Sequence, residues 1–171
     1  MKKITIALGF FVLFVQGCTY AISPEMTAQA DKTLTFRQLQ ADPDTFKGKI
    51  IILGGTIEQT SNTPQGTVLE VIEKPLDYWG KPKRTDKTGG YFLAVHPGYL
   101  DAMVYAPGRE ITVAAEIAGT RSKALGEREY SYPVVIVKEL KLWEREPRSW
   151  DRPQWMDPLY DPQQSPAPST W

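Results

Sequence analysis

Five segments between Lys49 and Glu144 alternate apolar and polar residues with a period of two. β-Branched and aromatic residues dominate these segments, and clusters of glycine and proline separate them, which is typical of half-buried strands joined by turns. We therefore predict a mainly β domain of five antiparallel strands. The five segments are KIIILGGTIEQT, TVLEVIEKP, GGYFLAV, REITVAAEIAGT and YSYPVVIVKELKLWE.

The order of these strands predicts a small OB-fold-like barrel. The stretch HPGYLDAMVYAPG, a short helix or loop, separates the third strand from the fourth, as in the element order of that fold. Gly54 and Gly55 lie inside the first strand, where glycine lets a long strand bend and serve both halves of a barrel. An open meander or a sandwich of the same strands is the alternative.

A short helix or turn is predicted just before the first strand. Leu34, Phe36 and Leu39 recur at near-helical spacing, and Pro43 prevents a long continuation. We expect this element to pack on the strands, so the barrel domain spans residues 34–146.

The composition changes after Trp143. Residues 147–171 form a tail so rich in proline that neither a helix nor a ladder strand runs through it. Large aromatic side chains mark this tail, and they indicate either disorder or contact with the domain, a membrane interface or a partner. These side chains are Trp150, Trp155, Tyr160 and Trp171.

The chain begins with a secretory signal peptide, which we place at residues 1–17. Lys2 and Lys3 precede an apolar run from Ile4 to Val15, which is the order of a charged and then an apolar region in such peptides. A helix of that run is about 18 Å long against a bilayer core of about 30 Å, so it does not span by itself.

The residues Val15, Gln16, Gly17 and Cys18 resemble the bacterial lipoprotein box, although Gln16 stands where a small residue is usual. The resemblance implies that Cys18, the only cysteine, takes a diacylglycerol and, after cleavage, an acyl chain such as palmitate. Several acyl chains anchor a protein firmly. Residues 18–33 then form a lipidated linker, and Thr19 in place of an aspartate after the cysteine favours the outer membrane. The alternative is an inert cysteine ending an ordinary signal peptide.

Charge and metal-binding residue types limit the function. Twenty basic and twenty acidic side chains balance, and removal of Lys2 and Lys3 leaves eighteen against twenty. Such a balance gives no electrostatic footprint for nucleic acid. One histidine and one cysteine do not make a thiolate or histidine metal cage. We predict no cofactor, no metal and no nucleic-acid partner.

The candidate catalytic residues do not have the spacing that catalysis requires. His96, the only imidazole, precedes a proline at a strand end and is predicted to be a turn residue. Glu70 and Glu73 lie three residues apart on a predicted strand, so they point to opposite faces and do not form an acid and base pair. The sequence therefore predicts no catalytic residue.

The loop between the second and third strands, within DYWGKPKRTDK, is the main candidate for ligand binding. Tyr78 and Trp79 stand beside Lys81, Lys83 and Arg84, and aromatic faces with cations suit sugar rings, phosphates or anionic head groups. The alternative is a solvated loop whose aromatic residues cover one end of the barrel.

Two further aromatic residues lie at the start of the predicted fifth strand. Tyr130 and Tyr132 flank Ser131, and alternating aromatic residues on a barrel face are a stacking platform that OB-folds use for oligomeric ligands. The alternative is simple packing at a strand edge.

The motifs together resemble the Slp family of enterobacterial-type outer-membrane lipoproteins, named for induction on starvation. The resemblance covers roughly Phe36 to Trp143 and the lipoprotein cysteine, Cys18. It supplies no catalytic residues. The segments that carry it, in order, are FRQLQADPDTFKGKIIILGGTI, TVLEVIEKPLDYWGKP, GGYFLA, GREITVAAEIAGT and YSYPVVIVKELKLW.

This resemblance implies a non-catalytic outer-membrane lipoprotein whose β domain faces the periplasm. We expect a role in envelope maintenance or in the response to starvation and stress. Its partners are then the membrane, through the lipid anchor, and an envelope glycan or envelope protein. The alternative function is a module that binds envelope glycan or lipid.

Overall fold

The computed structural model describes residues 20–125 and 128–145, without the side chains of residues 123–130. The signal peptide, Cys18 and the tail from residue 147 lie outside this part. Two short helices and a single 3₁₀ turn precede five strands. In chain order these are α1 (Pro24–Gln29), α2 (Phe36–Ala41), the turn (Asp44–Phe46), β1 (Ile50–Thr63), β2 (Gly66–Glu73), β3 (Tyr91–His96), β4 (Glu110–Leu125) and β5 (Arg128–Leu142).

The strands form a closed barrel in the order β1, β2, β3, β5, β4. This confirms the predicted OB-fold-like barrel and excludes the open meander and the sandwich. One seam differs from the expected antiparallel pairing, because residues 93–95 of β3 pair in parallel with residues 134–136 of β5. β4 runs between them in the chain, so β5 returns beside β3 in the same direction.

β1 belongs to both halves of the barrel. Residues 50–56 pair with β4, and residues 55–63 pair with β2. A Cβ atom on Gly55 would collide with the carbonyl oxygen of Ile72, and one on Gly54 would collide with Leu76. Glycine at these two positions therefore lets the neighbouring segments approach β1 at its bend.

The inner face of the barrel follows the predicted alternation. Ile51, Leu53 and Ile57 of β1 are buried, and so are the matching positions of β4, namely Ile111, Val113, Ala115 and Ile117. Helix α2 closes the barrel against this core, because Phe36 and Leu39 belong to the same cluster. The Phe36 ring meets the Phe92 ring edge to face at 6.0 Å.

Helix α2 begins at a capping box. Thr35 and Gln38 form a capping box, in which each side chain binds the backbone of the other residue. The described helices, α1 and α2, are too short and too polar to cross a membrane.

The part of the predicted linker, residues 18–33, that begins at residue 20 packs on the barrel. Ala21 and Ile22 are buried against Ala114 on the outer face of the barrel. The Ser23 backbone N–H and hydroxyl donate to the two carboxylate oxygens of Glu139, at 2.9 and 2.8 Å. A contact made by two adjacent apolar residues leaves no periodic signal, which is why the sequence did not predict it.

Asp31, near the end of the N-terminal segment, is also held against the barrel. The backbone N–H of Asp31 donates to Ile50 at 2.8 Å, and its carboxylate accepts from Lys49 Nζ at 2.9 Å. The Lys49 hydrogen bond, with further ones from Thr33, holds the pKa of Asp31 well below its usual range. The N-terminal segment therefore enters β1 as an ordered part of the domain.

We predict that Gly55→Ala destabilises the barrel by about 1–3 kcal/mol, the usual cost of overpacking. The new methyl group would collide with backbone at Ile72, which does not move away as a side chain does. Chemical denaturation measures the change.

Gly98→Ala is the matched control. Its Cβ would meet the His96 ring, starting at 3.0 Å. Turning this ring away loses only its hydrogen bonding with Gly98, so the cost should be smaller. Equal destabilisation by both variants would contradict the account of β1.

Candidate functional site

Tyr20, Tyr78 and Trp79 form a compact group on the surface, here called the aromatic cluster. The ring centres lie 5.2 Å apart for Tyr78 and Trp79, 5.8 Å for Tyr20 and Trp79, and 6.3 Å for Tyr20 and Tyr78. The side chains remain 50%, 79% and 49% exposed in the order of the chain. The sequence predicts the pair in the loop but not Tyr20, which lies 58 positions away from Tyr78.

The loop that carries Tyr78 and Trp79 is a tightly bonded turn. One carboxylate oxygen of Asp77 accepts from the backbone N–H groups of Trp79 and Lys81, both at 2.8 Å. Gly80 has a φ of +82°, a conformation that favours glycine. These bonds within the turn fix the backbone that carries Tyr78 and Trp79.

A buried hydroxyl group ties this turn to the barrel. Thr112 of β4 is fully buried, and its hydroxyl donates to the Gly80 carbonyl at 2.6 Å. The same oxygen accepts from the indole N–H of Trp143 at 3.0 Å. The N-terminal segment adds a bond from the Ala21 N–H to the Trp79 carbonyl, at 3.3 Å.

An open apolar groove of about 260 Å³ lies beside the aromatic cluster. The cluster forms part of its wall, and Ile22, Ile52 and Leu76 add aliphatic surface. The groove offers a hydrophobic contact next to three exposed rings.

The predicted cations do not all face this groove. Lys81 Nζ lies 5.8 Å from the centre of the Trp143 ring, and Lys83 is exposed. Arg84 lines a separate polar pocket of about 180 Å³ with Arg109 and Arg145. The loop thus places cations around the aromatic cluster rather than within it.

The predicted platform of Tyr130 and Tyr132 is not an open stacking surface at Tyr132. Tyr132 is buried, at 6% exposure, and its ring packs edge to face on Tyr91 at 6.0 Å. This burial fits the alternative of simple packing at a strand edge. The side chain of Tyr130 lies outside the described residues, and so does Cys18.

A second groove, of about 240 Å³, crosses the outer face of the barrel. Residues of four strands line it, and we call it the polar groove because most of these residues are polar, although the larger part of its open surface is apolar; they are Gln59, Ser61, Thr63, Val68, Glu70, Leu93, Arg121 and Ser122. The β2 and β3 face is the surface with which OB-folds bind oligomers. The sequence does not predict this groove, because only barrel closure brings the strands together.

Glu70, Glu73 and His96, the residues considered for catalysis, make separate contacts and do not form one site. Glu70 lines the polar groove, whereas Glu73 accepts from the Gly89 N–H at 2.7 Å. Partial burial raises the pKa of Glu73, against that hydrogen bond and the nearby Lys74. His96 binds the N–H of Gly98 at 3.0 Å and so holds a turn, as predicted. Within residues 20–145 as described, no three His, Cys, Asp or Glu side chains gather as a metal site.

Comparison with protein families places most of the chain in one family. The model described as "Outer membrane lipoprotein Slp family" matches residues 15–168. An uncharacterized protein of Haemophilus influenzae is 27% identical over 144 residues, which are 82% of this chain and 76% of that one. The outer membrane protein Slp of Escherichia coli is 25% identical over 115 residues, which are 67% of this chain and 61% of that one.

Solved structures with a similar fold include two single-stranded DNA-binding proteins. The mitochondrial protein Rim1 of S. cerevisiae has a TM-score of 0.38 at 11% identity, covering 58% of this chain and 99% of that one. A small protein of Streptomyces coelicolor has a TM-score of 0.37 at 11% identity, covering 56% and 94%. The OB-fold assignment rests on strand order and barrel closure rather than on these likenesses.

We predict that Thr112→Val loosens the loop that carries the aromatic cluster. The substitution removes the partner of the Trp143 indole and of the Gly80 carbonyl, and leaving a buried group unpaired costs about 1–3 kcal/mol. Hydrogen exchange should become faster at residues 77–81, and the free energy of unfolding should fall.

Thr112→Ser keeps the hydroxyl group and is the matched control, with slow exchange retained at residues 77–81. Exchange that is unchanged in Thr112→Val would show that the hydroxyl does not hold this loop.

Proposed function

The chain belongs to the outer membrane lipoprotein Slp family, and we propose that this outer-membrane lipoprotein is held through lipid on Cys18, with its barrel on the periplasmic side. The family model begins at residue 15, so its match includes Cys18 and the three residues before it. In this proposal residues 1–17 are removed and Cys18 becomes the first residue.

The observation that carries the proposal is the ordered N-terminal segment. The backbone N–H of Ala21 is bonded to Trp79, and Ala21 and Ile22 are buried on the barrel. Ala21 follows Cys18 by three residues, which span at most about 11 Å, so lipid on Cys18 would hold the barrel itself against the membrane surface. A short tether suits a protein that works at the membrane rather than one that reaches across the periplasm.

We propose further that the barrel catalyses no reaction and serves envelope maintenance or the response to starvation and stress. The separation of Glu70 from Glu73, and the engagement of His96 in a turn, support a non-catalytic role. A closed barrel on a lipid anchor suits a scaffold for envelope proteins or glycans.

A second candidate function, binding of envelope glycan, is favoured by the polar groove. Hydroxyl, amide, carboxylate and guanidinium groups line it around the apolar side chains of Val68 and Leu93. Sugars expose hydroxyl groups and apolar ring faces, and a site that orients a ligand combines a few polar groups with apolar surface.

We predict that the intact mass of protein extracted from outer membranes with detergent fits a chain starting at Cys18 plus a diacylglycerol and one acyl chain. Cys18→Ser is the matched control, because its hydroxyl does not replace the sulfur in this modification. That variant should retain its signal peptide. A wild-type mass with unmodified Cys18, or with Met1 present, would contradict the anchor.

We predict that peptidoglycan fragments shift amide NMR signals of the polar groove in the domain without its lipid. Arg121→Ala should reduce these shifts, since it removes a donor from the groove. Lys138→Ala removes the same charge from an exposed pair with Glu116 outside the groove and is the control. Shifts elsewhere, or none at millimolar ligand, would argue against glycan binding in this groove.

A further inference from the structure

We propose that the aromatic cluster of Tyr20, Tyr78 and Trp79 inserts at the head-group level of the outer membrane and sets which side of the barrel faces the lipid. This inference rests on the proposed lipid at Cys18 and adds a second contact to it. The anchor then fixes orientation as well as location.

The chemistry of the cluster suits a membrane interface. Tyrosine and tryptophan are enriched at the boundary between water and lipid, because each combines an apolar ring with a polar group. Tyr78 is 79% exposed, and its neighbours in the cluster are half exposed. The adjacent apolar groove makes the exposed hydrophobic surface contiguous, and such surfaces mark interaction sites.

The position of the anchor identifies the occupant. Tyr20 follows Cys18 by two residues, a distance of at most about 7 Å along an extended chain. A diacylglycerol on Cys18 has its glycerol at the membrane surface, so Tyr20 necessarily lies near that surface. Tyr78 and Trp79 contact Tyr20 and therefore come to the membrane with it.

The cluster is organised before it meets a membrane. The Asp77 carboxylate fixes the turn, and the buried Thr112 hydroxyl holds its Gly80 carbonyl. Ala21 donates to the Trp79 carbonyl. Since these bonds already order the loop, insertion does not need to order it, and more of the contact energy is left for binding.

Charge around the cluster fits phospholipid head groups. Lys81, Lys83 and Arg84 follow Trp79 within five residues, and basic residues near a membrane surface are attracted to anionic lipid. Lys81 also lies over the Trp143 ring, and Arg84 lines a pocket with Arg109 and Arg145. In addition to these contacts, the basic side chains would strengthen the attraction to anionic lipid when the rings are at head-group depth.

The test uses the mature chain, residues 18–171, coupled through the single thiol of Cys18 to a maleimide lipid. The vesicles contain phosphatidylethanolamine and phosphatidylglycerol, with or without brominated acyl chains that quench tryptophan. This tether is chemical, so the experiment does not depend on lipidation by the cell. The emission of Trp79 is obtained as the difference between wild type and Trp79→Phe.

We expect brominated lipid to quench roughly half or more of the Trp79 emission in the tethered protein, with a shift to shorter wavelength, as for an indole in an interface. Tyr78→Ser should reduce that quenching. Because Tyr78 is 79% exposed, this variant keeps the fold.

Trp79 emission that brominated lipid leaves unchanged in the tethered protein would overturn the inference, even if cells do lipidate Cys18. A concentration-dependent shift in solution without quenching by lipid would assign the cluster to contact between two copies, and would also overturn it. A failed mass test with strong quenching would instead remove the proposed anchor and leave the lipid contact.

Discussion

Barrel closure requires neighbouring chain segments to approach β1 closely at Gly54 and Gly55. β1 hydrogen-bonds to β4 before this point and to β2 after it, so the barrel closes only if the strand bends here. A side chain at Gly55 would meet backbone, and one at Gly54 would meet Leu76 and Pro82. The same two glycines therefore permit both barrel closure and the docking of the loop that carries Tyr78 and Trp79.

Two apolar clusters on opposite faces of β4 connect the fold with its proposed role. Val113 and its inner-face neighbours fill the barrel, whereas Ala114 receives Ala21 and Ile22 from the N-terminal segment. Thr112, also on the outer face, holds the turn after Asp77. The outer face of one strand thus fixes both the start of the ordered chain and the aromatic loop, which brings the proposed anchor and the proposed membrane contact to one side of the molecule.

Much of the barrel was predictable because its signals are local. Alternation along β1 and β4 defines their buried faces, and the spacing of Phe36 and Leu39 indicates α2. The parallel seam between β3 and β5, the polar groove and the burial of Tyr132 arise from contacts between distant segments, which no local pattern encodes. Tyr20 joins the candidate site for the same reason. The role of Cys18 and the nature of the tail stay predictions.

Hydroxyl-radical footprinting of the protein in isolated outer membranes, compared with the detergent-extracted protein after detergent removal, shows whether one side of the barrel faces the membrane. Tyr99 and Met103 are 80% and 86% exposed on another loop and serve as internal references. We expect Tyr78 and Trp79 to be oxidised much more slowly in the membrane, while the two references react as before. Oxidation of Tyr78 at an unchanged rate in the membrane would contradict this expectation.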